Sequence, residues 1–385
     1  MMLGLLLARA GVETLVVEKH ADFLRDFRGD TLHPSTLEVM HELGLLERLL
    51  ALPHDRVAEI SAQFGEEPLV VADFRRLPVR CGFIAMMPQW DFLNFLATEA
   101  ARYPKFSLRM NAAVTSLVIR EKVLAVKVAS EEIEADLVVG ADGRHSAVRE
   151  AAGLAIETLG APIDVLWFRL SRKSSDPQGS MGRFDAGAIF VLINRRDYWQ
   201  CGYVIPKGAI EQVRGAGLPA FRATLERLVP WAADRSAELA SWDQVKLLTV
   251  QIDRLKQWSR PGLLCIGDAA HAMSPVGGVG INVAIQDAVA AANILRGGDF
   301  SAANLHKVQQ RREWPVHVTQ RVQILMQDRV ISRVLGSRQP VRPPLFLRLA
   351  ARFPMLRRIP GRLIGMGIRP EHVQIRPPPD IEITT

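Results

Sequence analysis

The chain is poor in the residues that mark several protein classes. Its 385 residues include three cysteines, Cys81, Cys201 and Cys265, far apart and never spaced as CxxC. That pattern indicates neither a disulfide framework nor a zinc site, and it suits a reducing, cytoplasmic setting. The nine histidines show no HExxH-like spacing, so no metal is expected. Tyrosine is scarce: Tyr103, Tyr198 and Tyr203 are the whole set. None falls in a motif that would make it an acid or base, and no catalytic residue is assigned. Repeats and flexible linkers are missing. Leu3 to Leu7 is too short an apolar run to span a bilayer. It has no basic segment before it, and "VETLVVEK" stands where a cleavage site would be, so a helix buried against a sheet is expected and not a signal peptide. The net charge of +7 comes from scattered basic residues until the C-terminal segment. No nucleic-acid motif accompanies them, and a nucleic-acid partner is not expected.

What is present reads as α/β. "MMLGLLLARAG" is a helix and Leu15–Val17 a buried strand ending at Glu18. Helical spacing of apolar residues follows from Thr36 to Leu50 and again after Pro88. "AAVTSLVI" and "VLAVKVAS" form a hairpin leading to "EADLVVGADG". From Ile163 to Pro206 the texture changes to strands of a separate sheet. "GLLCIGDAAH" is again a buried, parallel-type strand, and "GINVAIQDAVAAANIL" a long helix. The expected divisions are 1–160 and 256–300 for one discontinuous domain, 161–255 for a mostly β-sheet domain, and 301–385 for a helical segment and tail.

Three stretches carry chemistry. Glu18, at a strand end, can accept hydrogen bonds from both ribose hydroxyls of an adenine dinucleotide, or simply face solvent. "DLVVGADGRHSAVRE" delivers Asp142 and Gly143 into a turn before a helix. The glycine admits close approach of a ligand to the backbone, although an Asp–Gly turn without a ligand looks the same. Arg149 reads as an ordinary helix charge. In "GLLCIGDAAHAMSPVGGVGINVAIQDA", Gly267 and Asp268 end a strand, where a carboxylate can accept from sugar or polyol hydroxyls. Gly277, Gly278 and Gly280 would let backbone N–H groups converge at a helix N-terminus, whose dipole favours negative charge. A ring that becomes anionic on reduction suits that point, with the Asn282 amide at its imide edge. The alternative is a glycine-rich loop that only packs. His271 is read as structural.

Together these stretches resemble the FAD-dependent aromatic hydroxylases, the single-component flavoprotein monooxygenases of the para-hydroxybenzoate hydroxylase and phenol hydroxylase type. "GADGRHSAVR" is similar to that family's DG motif and "CIGDAAHAMSPVGGVGINVAIQDA" to its GD motif. "RGDTLHPSTLEVMHELGLL" and "MPQWDFLNFL" match as well. The resemblance covers nearly the whole chain. It implies a Rossmann-like FAD-binding domain with an inserted β-sheet substrate domain and a helical C-terminal segment. It implies that Glu18 binds the adenosine ribose, that Arg28 and Gln89 contact the ribityl–pyrophosphate region, and that Asp142, with Gly143, serves both FAD and the pyridine nucleotide. Asp268, after Gly267, would hold the ribityl chain. Gly277, Gly278, Gly280, Ile281 and Asn282 would face the flavin pyrimidine, and Pro275 the substrate. In the family a strand and a GxGxxG turn stand directly before a helix like "MMLGLLLARAG". This sequence lacks both, and Gly4 and Gly11 do not replace them; an N-terminally truncated domain is the expectation.

The implied reaction uses NAD(P)H and O2 to hydroxylate an aromatic or quinone-like small molecule through a flavin hydroperoxide. Other readings are a halogenase or isoprenoid reductase of the same fold, or a flavin-free protein with a binding role. The pocket is expected between the flavin and the middle sheet. Trp199, Cys201, Tyr203 and Ile205 alternate onto one strand face, and Trp167, Phe168 and Phe190 come from neighbouring strands; these could line an apolar pocket, with Trp199 and Tyr203 the candidate pocket residues and plain core the preferred reading. The tail around "PLFLRLAARFPMLRRIPGRLIGMG" could rest on anionic lipid. A helical cover with snorkelling arginines is the preferred expectation. Nothing in the sequence indicates the oligomeric state.

Overall fold

The computed structural model describes residues 1–24, 30–339 and 341–376. The chain opens with helix α1 (Met2–Arg9), in which every residue from Met2 to Ala8 is buried. A helix apolar on all sides has no solvent face and sits inside. It lies close on β1 (Thr14–Val17): a Cβ on Gly4 would stand 2.6 Å from Val16 Cγ2. Helix α2 (Pro34–Glu42) has proline in its first turn, where no N–H is needed. The strands β2 (Glu59–Phe64) and β3 (Glu67–Asp73) form a hairpin. Helix α3 (Gln89–Ala100) leads to β4 (Phe106–Arg109), which pairs parallel with β1 from Thr14↔Phe106 to Val17↔Arg109. Then β5 (Val138–Gly140) runs into the short helix α4 (Ala147–Ala151), capped by the Ser146 side chain.

The middle of the chain builds a large sheet from β6 (Ile163–Ser171), β7 (Met181–Asp185), β8 (Ala188–Asn194) and β9 (Tyr198–Pro206). Helix α5 (Leu218–Leu228) covers one side, and β10 (Lys246–Thr249) joins the edge. The seven-stranded order is β10-β6-β9-β8-β7-β2-β3. Residues 59–73 therefore belong to this sheet, although they lie inside the segment 1–160 expected to be the first part of the other domain. Their partner β7 is more than a hundred residues away and pairs parallel with β2. A pairing at that range leaves no local pattern in sequence.

The chain returns through β11 (Leu263–Cys265), parallel to β5, into helix α6 (Gly280–Leu295) and the long helix α7 (Ala302–Met326). A π-helical turn, Gln327–Ile331, follows. Two amphipathic helices, α8 (Leu345–Arg352) and α9 (Arg358–Gly365), close the described fold.

The reading of Leu15–Val17 as a buried strand needs correction. All of β1 is only partly covered, and Leu15 is 42% exposed. Among the described residues β1 pairs only with β4; β5 pairs only with β11, and no ladder joins the two groups. Parallel strands are buried when neighbours flank them and helices cover both faces; among the described residues one edge of β1 has no strand beside it.

Helix α9 docks on β3 at backbone distance. A Cβ on Gly361 would lie 2.4 Å from the Asp73 carbonyl oxygen. The obstructing atom is main chain, so the helix itself would have to move. Gly361→Ala is expected to destabilise the fold by about 1–3 kcal/mol, the range for overpacking. Urea unfolding of the two proteins checks this; an unchanged midpoint would mean that α9 shifts freely on the sheet.

Candidate functional site

Because β5 and β11 are neighbours in register, Gly140 against Cys265, the turns that follow them come together. Asp142 is exposed, and its Oδ2 accepts the Val148 N–H at 3.2 Å, which starts α4. Gly143 has φ +87°, with open space where a Cβ would point. Across from them, Gly267 is buried at φ +59° and Asp268 is half-buried. Arg144 joins the two turns: its guanidinium lies 4.0 Å from Asp268 and donates to the Thr249 carbonyl at 3.4 Å. No local pattern marks Arg144, because its two partners are separated from it by more than a hundred residues.

The loop after Asp268 presents bare backbone. Pro275 and Gly277 are exposed, and Gly277 and Gly278 take φ +81° and +63°. A Cβ on Gly278 would fall 2.8 Å from Thr31 Oγ1. The chain then enters α6, 16 residues long, at Gly280 and Ile281. The first N–H groups of a helix have no intrahelical acceptor and carry partial positive charge. A cradle that side chains would fill, ending at a helix N-terminus, fits a flat ring that carries negative charge along one edge. Asn282 plays a different part from the one expected. Its amide is buried; Oδ1 accepts from the His33 N–H (2.8 Å) and Thr36 Oγ1 (2.7 Å), and Nδ2 donates to the Thr31 carbonyl (3.0 Å). The side chain is committed to bracing α6 against residues 31–36, because each of those buried groups needs a partner. Only its backbone remains on the cradle side.

Buried charges hold both turns from behind. Asp287, fully enclosed, accepts the Gly267 N–H (3.0 Å) and faces His271 Nε2 (2.6 Å) on one oxygen; its other oxygen accepts from Arg312 Nε (2.9 Å). Burial works against the charge of Asp287, but His271 and Arg312 outweigh it and hold the carboxyl below its ordinary pKa. Arg149 is likewise no ordinary helix charge. It is buried, pairs with Asp253 at 3.4 Å and donates to the carbonyls of Ala269 and Arg144. On α7 and its π-helical extension, Gln320 donates to the Ala272 carbonyl (3.1 Å). Gln323 donates to those of Ser274 and Val276 (3.0 Å each), and Gln327 to the Ser274 hydroxyl (2.6 Å). The signal for Asp287 was in the sequence: it is the one charged residue between Gly280 and Leu295, on an otherwise apolar helix.

The remaining candidates lie on other elements. Glu18 ends β1, half-buried, its carboxylate accepting the His20 N–H at 3.0 Å. Gln89 opens α3, and its N–H donates to Asp30 Oδ1 at 3.2 Å. The second oxygen of Asp30 accepts from Arg195, in the turn between β8 and β9; both side chains are buried, so this pair ties the large sheet to the first domain. Arg28 lies outside the described residues.

Trp199 and Tyr203 do not face this loop. The alternation along β9 is as expected, but that side packs under α5, with Tyr203 edge-on to Phe221 at 5.4 Å and Trp199 Nε1 donating to Asp176 at 2.8 Å. Burial raises the pKa of the Tyr203 phenol. The opposite side of the sheet, with Val165, Trp167, Ile189 and Val204, shares a cluster with Val276 of the loop. The ring of Trp167 covers Gly202, where a Cβ would meet it at 3.1 Å. Sequence alternation defines two faces; which one the helix covers is a tertiary matter.

Residues 1–297 match a family model described as an FAD binding domain. A 6-methylpretetramide 4-monooxygenase from Streptomyces rimosus is 32% identical over 377 residues, covering 93% of this chain and 88% of that protein. A rifampicin monooxygenase from Streptomyces venezuelae is 28% identical over 72% of this chain, which spans 58% of that protein's length. Among solved structures, the OxyS anhydrotetracycline hydroxylase from Streptomyces rimosus superposes with a TM-score of 0.72 at 22% identity, covering 96% of this chain and 74% of that one.

Asp287 supplies a pH-dependent test. Its carboxyl pKa lies below the unfolded value of about 3.9, so the stability it contributes is complete above that value. It is lost as pH falls through the folded pKa. Asp287→Asn should lose that part of the acid dependence and be about 3–5 kcal/mol less stable at neutral pH, because the enclosed carboxylate that faces the buried Arg312 and His271 is removed. Denaturant melts at several pH values measure both effects. Equal stability of the two proteins at neutral pH would mean that the buried charges are not coupled.

Proposed function

This chain belongs to the FAD binding domain family and is an FAD-dependent monooxygenase that draws on NAD(P)H; on that premise we propose that it hydroxylates an aromatic or quinone-like small molecule held between the Pro275–Gly280 loop and the Trp167 side of the large sheet. The carrying observation is the shared cluster of Val276 with Val165, Trp167, Ile189 and Val204, which sets an apolar wall beside the glycine cradle. Relatives are named for hydroxylation of such compounds, among them a 3-demethoxyubiquinol 3-hydroxylase from Escherichia coli. The indole N–H of Trp167 is buried and has no hydrogen-bond partner among the described residues. A buried donor of this kind is normally paired, and a phenol or quinone oxygen would satisfy it.

FAD, when bound, supplies the oxygen-transfer chemistry. The chain's residues supply position and field. Glu18 would take the adenosine ribose, and Asp142 with Gly143 the middle of the cofactor. Gly267 and Asp268 would take its ribityl chain. The N–H groups of residues 277–281 stand where negative charge on the ring is favoured. Asp287, Arg149 and the glutamines of α7 keep these turns in place without touching the cofactor. The apolar wall excludes water from the reacting centre.

Asp268→Ala should weaken FAD binding about tenfold or more, since a hydrogen bond to a charged group contributes about 1.5–3 kcal/mol. Titration of flavin-stripped protein reads this out directly, and an unchanged dissociation constant in a folded variant removes Asp268 from the site. For the reaction, oxygen uptake and oxidation of NADH and NADPH are measured with a panel of phenols and quinones. Slow turnover without ligand and faster turnover with an aromatic, giving hydroxylated product, is expected. Chloride-substituted product, or no stimulation by any ligand, would sink the assignment.

A further inference from the structure

The C-terminal segment covers the large sheet with one face and leaves another uncovered. On the inner side, Leu347 of α8 packs with Phe64 and Leu69 of the β2–β3 hairpin, Gly361 brings α9 down onto β3, and Gly365 sets it against Phe74, Leu77 and Pro34. On the outer side stand Leu345 (70% exposed), Leu349, Phe353, Met355 (70%), Leu356 and Ile359 (66%). These six are half of all the large apolar side chains exposed among the described residues, and they fall within fifteen positions. Isolated exposed leucines need no explanation, but a contiguous apolar patch marks a contact surface.

The charge around the patch says what kind. Between Arg329 and Pro370 there are ten arginines and no lysine, aspartate or glutamate. Arg348 and Arg352 are exposed and, at four-residue spacing, form a row on α8 beside the row of Leu345 and Leu349; Arg358 and Arg362 do the same beside Ile359 on α9. A second copy of this chain would bring arginines against arginines, because a two-fold interface opposes a surface to itself. A protein partner is held in one register by pairs of both signs around buried anchors, and α8 and α9 themselves carry charge of a single sign. Short amphipathic helices with arginines bordering Leu, Phe and Ile have the composition of segments that lie in a lipid interface.

We propose that the outer face of α8 and α9 seats on an anionic lipid surface, its six apolar side chains entering the headgroup–acyl boundary while the bordering arginines contact lipid phosphates. The contact is peripheral. The one helix among the described residues that is long and apolar enough to cross a membrane, Val276–Leu295, is the core helix entered by the glycine loop, and 56% of its most apolar window is buried in the fold.

The test is flotation of the full chain with vesicles of pure phosphatidylcholine and with an equimolar mixture of phosphatidylcholine and phosphatidylglycerol. Binding to the mixed vesicles alone is expected. It should fall when salt is raised from about 0.1 M to about 1 M, which shortens the screening length from about 10 Å to about 3 Å. Arg348→Gln combined with Arg352→Gln should weaken binding about 25-fold, roughly fivefold for each charge removed at the surface. Met355→Glu combined with Ile359→Glu should abolish it while leaving the urea midpoint unchanged, since both side chains are exposed. Failure to bind either vesicle, equal binding to both, or retained binding by the Met355→Glu, Ile359→Glu protein overturns the proposal. So does self-association in sedimentation velocity that the same pair abolishes. Binding of polyglutamate as tightly as of vesicles, insensitive to that pair, would assign the face to an acidic protein instead.

Discussion

The carboxylate of Asp287 is the point from which the site is built. A fully enclosed charge persists only where its partners outweigh the loss of water, and here those partners are the structural elements that must stay in register. Gly267 belongs to the turn after β11, His271 to the loop beyond it, and Arg312 to α7. Arg312 also reaches Glu371 in the C-terminal segment at 3.5 Å. One buried anion thus fixes a strand end, a loop, two helices and a stretch of chain more than eighty residues downstream.

This arrangement separates holding from facing. The proposed ligand side is backbone at Gly143, Gly277, Gly278 and Gly280, which cannot change rotamer and carries no side chain. The supporting side carries the polar side chains: Asn282 toward residues 31–36, Arg149 toward Asp253, Gln320 and Gln323 toward carbonyl groups of the loop, and Gln327 toward the Ser274 hydroxyl. Each is buried and hydrogen-bonded, so displacing one leaves a desolvated group unpaired. The loop carrying Pro275 is braced by α7, through Gln323 to the carbonyls of Ser274 and Val276.

The large sheet follows the same economy. Its α5 side is closed by aromatic packing, with Phe168, Tyr203 and Trp242 against Phe221. Its other side, lined by aliphatic residues with Trp167 and Phe184, meets Val276. The buried pair of Asp30 and Arg195 crosses from the first domain to the β8–β9 turn and keeps the two together.

The sequence by itself determined the motifs and their chemistry. Glycines at 143, 277 and 278 announce backbone that no side chain may crowd. Asp268 after a buried strand is legible as a candidate polyol acceptor, and alternation along β9 defines two faces. Local patterns of this kind are set by the few residues that show them. Only the tertiary structure decided that Trp199 and Tyr203 lie under α5 and Trp167 toward the loop, that the Asn282 amide is a brace, and that Arg149 is paired. It also placed residues 59–73 in the large sheet. Each of those outcomes depends on a partner tens to hundreds of residues away. A side chain's role is settled by what meets it there, and no short-range period of the sequence records that.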